Sequence, residues 1–316
     1  LTGFVELVVV AVSVHLAGIH SRSKKHVSAS RDYDRNRLSA VEYLEVEEQE
    51  SLVLAEEQKL EGFSFVSDGQ FLWQDLLRPF AESPGMKDGA LTRWFETNTF
   101  YKKPVVQEDS WAGGFDAGFL EKYFFWGSSP SIAFLPGPFS FSLLSEGVSL
   151  EQAALVLRKS REFLESKGIA RIVFSEPCLG SHSSVSEPFG WTEVNKAFQT
   201  AVLDSKAQTL VHVYYGPCPN GVFSIPASGV VVDLFEEQAL GGFPKDKILG
   251  LGAVDATNTL LEDASEVAVR VRKASSEAGA KEIVLCPNQA FDYVPRSFAS
   301  EKMKVLAAVA EELNEK

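Results

Sequence analysis

Eight short runs rich in Val, Ile, Leu and Phe, each closing on Gly, Pro or a polar residue, recur along the chain. They are LVVVAVSVHLAG (7–18), GFSFVSDG (62–69), SIAFLPGP (131–138), ARIVFSEP (170–177), TLVHVYYG (209–216), GVVVDLF (229–235), KILGLGAVD (247–255) and EIVLCPNQ (282–289). Near-continuous apolar runs of this length read as strands buried on both faces, the hallmark of parallel sheets covered by helices. Most intervals between them carry a helical period. Ala153, Val156, Leu157, Phe163 and Leu164, then Ala264, Val267, Ala268 and Val271, then Met303, Leu306, Ala307, Ala310 and Leu313, recur near i, i+3, i+4 and i+7. Strand and helix alternating eight times predicts a closed (β/α)8 barrel of the TIM type rather than an open sheet. The 316 residues fit one such barrel with an insertion, so a single domain over 1–316 is expected.

The insertion follows the second strand, over about 70–130, and is aromatic-rich: FLW, RWFETNTFY, WAGGF and YFFW. In a barrel such an insertion builds a lid or one wall of the site at the C-terminal strand ends. A long acidic segment, 38–60, reads as a helix with its charges largely on one solvated face. With 30 Lys plus Arg against 43 Asp plus Glu, the formal charge is −13, which argues against nucleic acid as a partner. The apolar stretch 7–18 is shorter than a membrane span and lacks the basic flank of a signal peptide, so no membrane association is expected. Three scattered cysteines, Cys178, Cys218 and Cys286, make no disulfide framework and suggest a reducing cytoplasm.

A barrel carries its chemistry just after each strand, which nominates Asp68, the turn 135–140, Ser175, Glu176, His212, Tyr214, Asp233, Asp255, Asn258, Asn288, Gln289 and Asp292. Glu176 paired with Asp233 or Asp255 would suit glycoside chemistry. His212, an acid at Asp233 or Glu236, and Cys286 sit near three strand ends and form a conceivable metal set, against packing of the histidine and thiol in the core. The catalytic candidates are therefore Glu176, His212, Asp233 and Asp255. After the first strand, Arg22, Ser23, Lys24 and Lys25 form a basic turn. It would hold an anionic ligand tail or pair with the acidic helix.

These motifs together resemble the cobalamin-independent methionine synthase family. GALTRWFETNTFYKKPVV (89–106) looks like the "KWFxTNYHYxxPE" stretch of its N-terminal barrel. DGQFLWQDLL (68–77) resembles "GDFxxYDxVL", LPGPFSF (135–141) "LGPVTxL" and IVFSEPCL (172–179) "IQIDEPAL". VYYG (213–216) resembles "TYF", VVVDLF (230–235) "HVDLV", LGLGAVDATNTLLEDA (249–264) "LxAGxxxGRNxWRxDL" and LCPNQAFDYVPRSFASE (285–301) "xxSSCSLLHxPxDLxxE". The order is kept over about 300 of the 316 residues. The resemblance implies a duplicated enzyme whose C-terminal barrel holds zinc and homocysteine, while the N-terminal barrel binds the polyglutamate tail of the methyl donor.

Of the family's zinc ligands, His212 matches the histidine and Asp233 or Glu236 the acid. Tyr214 and Gln289 stand where the two cysteines belong. Without thiolates no zinc is expected in this chain, because thiolate and imidazole ligation is what activates the homocysteine sulfur. The tail-binding "RExK" is matched by Arg22, Ser23, Lys24 and Lys25, and the Lys of "TKWF" by Arg93. The resemblance thus implies a free-standing N-terminal-type barrel for methionine biosynthesis. It would bind 5-methyltetrahydrofolate polyglutamate or a methylated pterin and act with a separate zinc-bearing barrel on a small-molecule substrate. The competing expectations are a self-sufficient methyltransferase using His212, Cys286 and an acid such as Glu236, and a non-catalytic scaffold barrel.

Overall fold

The computed structural model describes residues 11–180 and 189–315. The chain opens with β1 (Ala11–Val14), α1 (Lys24–Asp34) and α2 (Ala40–Leu60). The insertion follows: α3 (Arg78–Ala81), the strands β2 (Met86–Arg93) and β3 (Phe100–Val106), and α4 (Trp111–Gly114). Then come β4 (Ile132–Pro136), α5 (Pro138–Leu143), α6 (Leu150–Ser166), β5 (Arg171–Ser175), α7 (Trp191–Ala201), β6 (Gln208–His212) and β7 (Gly229–Asp233). The chain closes with β8 (Ile248–Val254), α8 (Ala264–Ala278), β9 (Glu282–Pro287) and α9 (Arg296–Asn314).

Seven strands pair in parallel in the order β1-β9-β8-β7-β6-β5-β4, and β2 and β3 form a separate antiparallel hairpin. Every residue of β4, β5, β7 and β8 is buried, as two-sided coverage of a parallel sheet requires. Seven of the eight expected strands are present. Of the first, 7–18, the part 7–10 lies outside the described residues, and β1 continues one bond further where His15 N donates to Leu285 O at 3.1 Å.

The expected strand at 62–69 is not a β-strand, which corrects that reading, yet it fills the eighth place in the ring. Ser64 and Phe65 donate backbone N–H to Val14 O (3.0 and 3.4 Å), and Ser131 and Ile132 donate to Val66 O (2.8 and 3.4 Å). Side-chain hydroxyls take the remaining positions: Ser64 Oγ accepts from Val14 N and Ser131 Oγ from Val66 N. The ladder fails because Gln58 of α2 claims both backbone groups of Ser67, accepting from its N–H at 2.9 Å and donating to its carbonyl at 2.8 Å. A peptide clamped by a side-chain amide has nothing left for a neighbouring strand.

The reading of 38–60 as a helix with solvated charge holds for Glu42, Glu45 and Glu56, which are exposed, but not for Glu47, which is buried. The helix is there, closed by a Ser39/Glu42 capping box. Its buried stripe, however, is Glu47, Ser51, Leu54, Ala55 and Gln58, while Val41, Leu44, Leu52, Val53 and Leu60 are exposed. Polar residues face inward because they have backbone and α1 partners to serve. Elsewhere the helices follow the expected logic. A Ser149/Gln152 capping box starts α6, Asp263 caps α8, and Gly279 ends it in the left-handed conformation. None of the helices among the described residues is long and apolar enough to cross a membrane.

Replacing Gln58 by Leu keeps the volume and strands two buried backbone groups. Unpaired buried polar groups cost about 1–3 kcal/mol each, so Gln58→Leu is expected to lower unfolding free energy by roughly 2–4 kcal/mol. Urea denaturation checks this, with a shifted midpoint at unchanged slope.

Candidate functional site

The C-terminal ends of the strands open into a pocket of about 340 Å³. Its floor is the β1 exit loop Ala17, Gly18 and Ile19, with Ser175 at the end of β5 and Gln289 and Ala290 past β9. One wall is the hairpin, through Trp94, Asn98, Thr99, Phe100 and Tyr101, so the aromatic insertion does form a wall of the site. The opposite wall is Tyr214, Tyr215, Asp292 and Tyr293.

The hairpin is held over the strand ends by polar contacts between aromatic side chains. Trp94 Nε1 donates to the Tyr215 hydroxyl at 3.1 Å, that hydroxyl lies 3.1 Å from the Tyr293 hydroxyl, and Thr99 Oγ1 lies 3.3 Å from Tyr293. Burial drives the phenol of Tyr215 far above its ordinary range, so these hydroxyls stay protonated. Tyr215 has φ +66°, a left-handed conformation that a bulky residue adopts only under constraint.

Of the residues nominated from strand ends, Ser175, Tyr214, Gln289 and Asp292 line the pocket, whereas Glu176, His212, Asp233 and Asp255 are not among its lining side chains. Each of the four has other work. Glu176 follows Ser175 and turns to the opposite side of the chain, under the N-terminus of α5. Its carboxylate accepts from Phe139 N (2.9 Å), Ser140 N (2.8 Å) and Ser140 Oγ (2.6 Å). Gly137 makes the room, since a Cβ there would lie 2.1 Å from Glu176 Oε1. Burial raises Glu176 to about 7, against the pull of those three donors.

His212, Asp233 and the β8 exit meet at Asn288. The Asn288 carbonyl accepts from His212 Nε2 at 2.9 Å, its Oδ1 from Ala256 N at 2.8 Å, and its Nδ2 donates to Asp233 Oδ2 at 3.1 Å. Facing a carbonyl, Nε2 must carry the proton, and burial holds His212 down at about 4, so the ring is neutral. Asp233, raised to about 6 by burial, also accepts from Phe235 N at 2.8 Å. Asp255 closes its own turn, accepting from Thr257 N at 2.8 Å and Asn258 Nδ2 at 2.5 Å. The pairing of Glu176 with Asp233 or Asp255 across a substrate therefore does not describe this pocket.

As arranged, these residues do not present a zinc ligand set. Nε2 of His212 is taken by the Asn288 carbonyl, leaving only Nδ1 of that ring, and the Cys286 thiol is buried against the Leu251 carbonyl and pushed far up by burial, away from the thiolate a metal needs. Glu236 follows the Asp233 turn, its N–H reaching Asp233 O at 3.4 Å. Among the described residues, no three His, Cys, Asp or Glu side chains converge as a ligand set.

The basic turn leaves the pocket floor at Ile19 and enters α1. Ser23 caps the helix, accepting from His26 N at 3.1 Å, and gives its own proton to Glu50 Oε1 at 2.7 Å. His26 approaches Glu47 at 3.6 Å, so part of the turn does pair with the acidic helix. Lys24 and Lys25 remain exposed, and Arg22 donates to the Trp73 carbonyl at 3.2 Å. Arg93 lies on the hairpin, where its guanidinium closes the turn through Thr97 O (2.6 Å) and Glu96 O (3.2 Å). The residues that sequence reasoning missed are Trp94, Tyr101, Tyr215 and Tyr293, whose only signal was the aromatic content of the insertion and of the strand exits.

A parallel α/β ring with a lidded pocket at its strand ends defines the class: a barrel of the TIM-type architecture. Residues 79–279 match the family model of the cobalamin-independent synthase, N-terminal domain, and the chain belongs to that family. It is 25% identical over 272 residues to a 5-methyltetrahydropteroyltriglutamate–homocysteine methyltransferase of Parvibaculum lavamentivorans, covering 75% of this chain and 35% of that protein. The Bacillus subtilis protein of the same name is also 25% identical, over 74% of this chain and 35% of its own length. The chain thus spans about a third of the curated relatives it matches. In fold it resembles a B12-independent methionine synthase of Shewanella in complex with selenomethionine (TM-score 0.70, 19% identity, 97% of this chain and 98% of that one). A putative vitamin-B12-independent methionine synthase of Listeria monocytogenes is similar as well (TM-score 0.71, 15% identity, 95% and 98%).

The raised Glu176 gives a pH prediction. Between its ordinary 4.5 and about 7 the folded state keeps a proton that the unfolded chain has released. Its contribution is full below about 4.5 and is lost as pH rises through about 7. Glu176→Gln is expected to remove that slope, on the order of 2 kcal/mol between pH 5 and 8, while lowering stability at pH 5 by misplacing an NH₂ against Ser140 N. Urea midpoints of both proteins across this range test it.

Proposed function

We propose that the chain is a donor-binding barrel in methionine formation. It holds the polyglutamate tail of 5-methyltetrahydrofolate, or the acidic tail of a methylated pterin, while a separately encoded zinc-bearing barrel activates homocysteine. Family membership over 79–279 and the names of the relatives support the reaction class. The observation that carries the site is the exposed Lys24–Lys25 pair on the first turn of α1, next to Arg22 and one short loop from the pocket floor. A helix N-terminus adds its own positive field, and ammonium and guanidinium groups make charge-assisted bonds to carboxylates. In a chain of net charge −13, such a patch is a local exception. Arg93 belongs to the proposal through the hairpin it stabilises, and Ser23 through the cap it makes. A single barrel in the cytoplasm goes with this reading.

A second reading, a self-sufficient methyltransferase, is favoured by one observation: the similar Shewanella protein is of this chain's length and is named a methionine synthase. It requires a metal that His212, Glu236 and Cys286 are not arranged to hold, and elemental analysis showing one zinc per chain would establish it over the first.

Calorimetry with triglutamyl 5-methyltetrahydrofolate tests the donor reading. The double variant Lys24→Ala/Lys25→Ala is expected to weaken binding about tenfold, equivalent to ~1.4 kcal/mol, whereas Arg93→Ala lowers thermal stability more than affinity. Absence of binding by the unaltered chain defeats the proposal and leaves a scaffold barrel.

A further inference from the structure

The pocket contains an acceptor with nothing to accept from. Gln289 lines it from the end of β9 and is only 3% exposed, and its Oε1 is buried with no donor among the described residues. The terminal amide torsion is soft, so a small turn offers this oxygen to a molecule in the pocket. Three residues on, Asp292 lines the same pocket; burial lifts its carboxyl to about 7, and no cation among the described residues bridges it. The other lining carboxylate, Asp75, is already spent on Arg78, Leu77 N and Lys102 N. Among the described residues no Lys or Arg lines the pocket; Arg22 acts on Asp292 through space, but its guanidinium donates to the Trp73 carbonyl.

The remaining walls are aromatic. The polar atoms of Trp94, Tyr215 and Tyr293 are tied to one another, and their rings line the pocket together with Tyr214, set edge-on to Tyr215 at 4.9 Å. The left-handed Tyr215 marks strain of the kind that collects at ligand clamps. A volume of about 340 Å³ suits a small molecule.

From these features we infer that the pocket binds a small organic ammonium ion carrying an apolar group. The rings attract the cation through their negative faces, Asp292 neutralises it, and Gln289 Oε1 accepts one of its N–H groups. The inference goes beyond the donor-tail reading, which uses cations outside this pocket. Its failure is separable, because one is read with an anion and the other with cations.

The test is calorimetry on the full chain with three probes of one ring size: benzylammonium, benzyltrimethylammonium, which keeps the charge and has no N–H, and neutral benzyl alcohol. Benzylammonium is expected to bind at least tenfold more tightly than benzyl alcohol, with benzyltrimethylammonium between them. Asp292→Asn should weaken both cations about tenfold and leave the alcohol unchanged. Gln289→Leu should bring benzylammonium down to the level of the trimethylated probe. Asp292→Asn alters a carboxyl that no ion pair among the described residues uses and carries the test alone if Gln289→Leu loosens the fold, which circular dichroism reads. Equal binding of benzyl alcohol and benzylammonium, no binding of either cation, or tighter binding of the neutral N–H donor 2-aminopyrimidin-4-one overturns the inference.

Discussion

The ring closes through one extended segment that a side-chain amide holds in place. Seven strands form a continuous parallel ladder, and the eighth place is taken by an extended segment that Gln58 grips on both sides of Ser67. Without that segment, β1 and β4 would be open sheet edges with unpaired backbone groups. The segment 63–67 bonds to Val14 on one side and to Ser131 and Ile132 on the other, so α2 fixes the circumference of the barrel. The pocket depends on that circumference, since its floor includes the exits of β1, β5 and β9.

A second constraint lies at the strand ends. Asn288 ties β6, the β7 aspartate and the β8 exit to the end of β9, leaving its neighbour Gln289 at the pocket without a partner of its own. The two adjacent amides divide the labour: one holds the scaffold, the other is available to a ligand. The same division holds at Ser175 and Glu176, where the serine lines the pocket and the glutamate anchors α5.

Strands buried on both faces announce themselves as apolar runs, so β4 to β9 were legible, as was the function of the aromatic insertion as a wall. The segment 62–69 has the same look, but the side chain that takes its ladder bonds belongs to another element, which no local pattern reveals. The inward stripe of α2 escaped for a related reason: Glu47, Ser51 and Gln58 are polar, and periodicity only registers apolar faces. In the site, the rule of strand ends found Ser175, Tyr214, Gln289 and Asp292. It could not tell Glu176, Asp233 and Asp255, whose carboxylates serve backbone donors, from residues that face the cavity, because side-chain direction depends on neighbours. The family motifs carried the class of protein where single residues did not.

The seam at 63–67 also sets where the molecule gives way. Strand pairs elsewhere form parallel ladders, with one irregularity between Gly252 and Val254, whereas this stave is held by a few backbone contacts, two serine hydroxyls and one glutamine. With fewer backbone bonds to part, its amide protons are expected to exchange before those of β4 to β9, as hydrogen exchange would read.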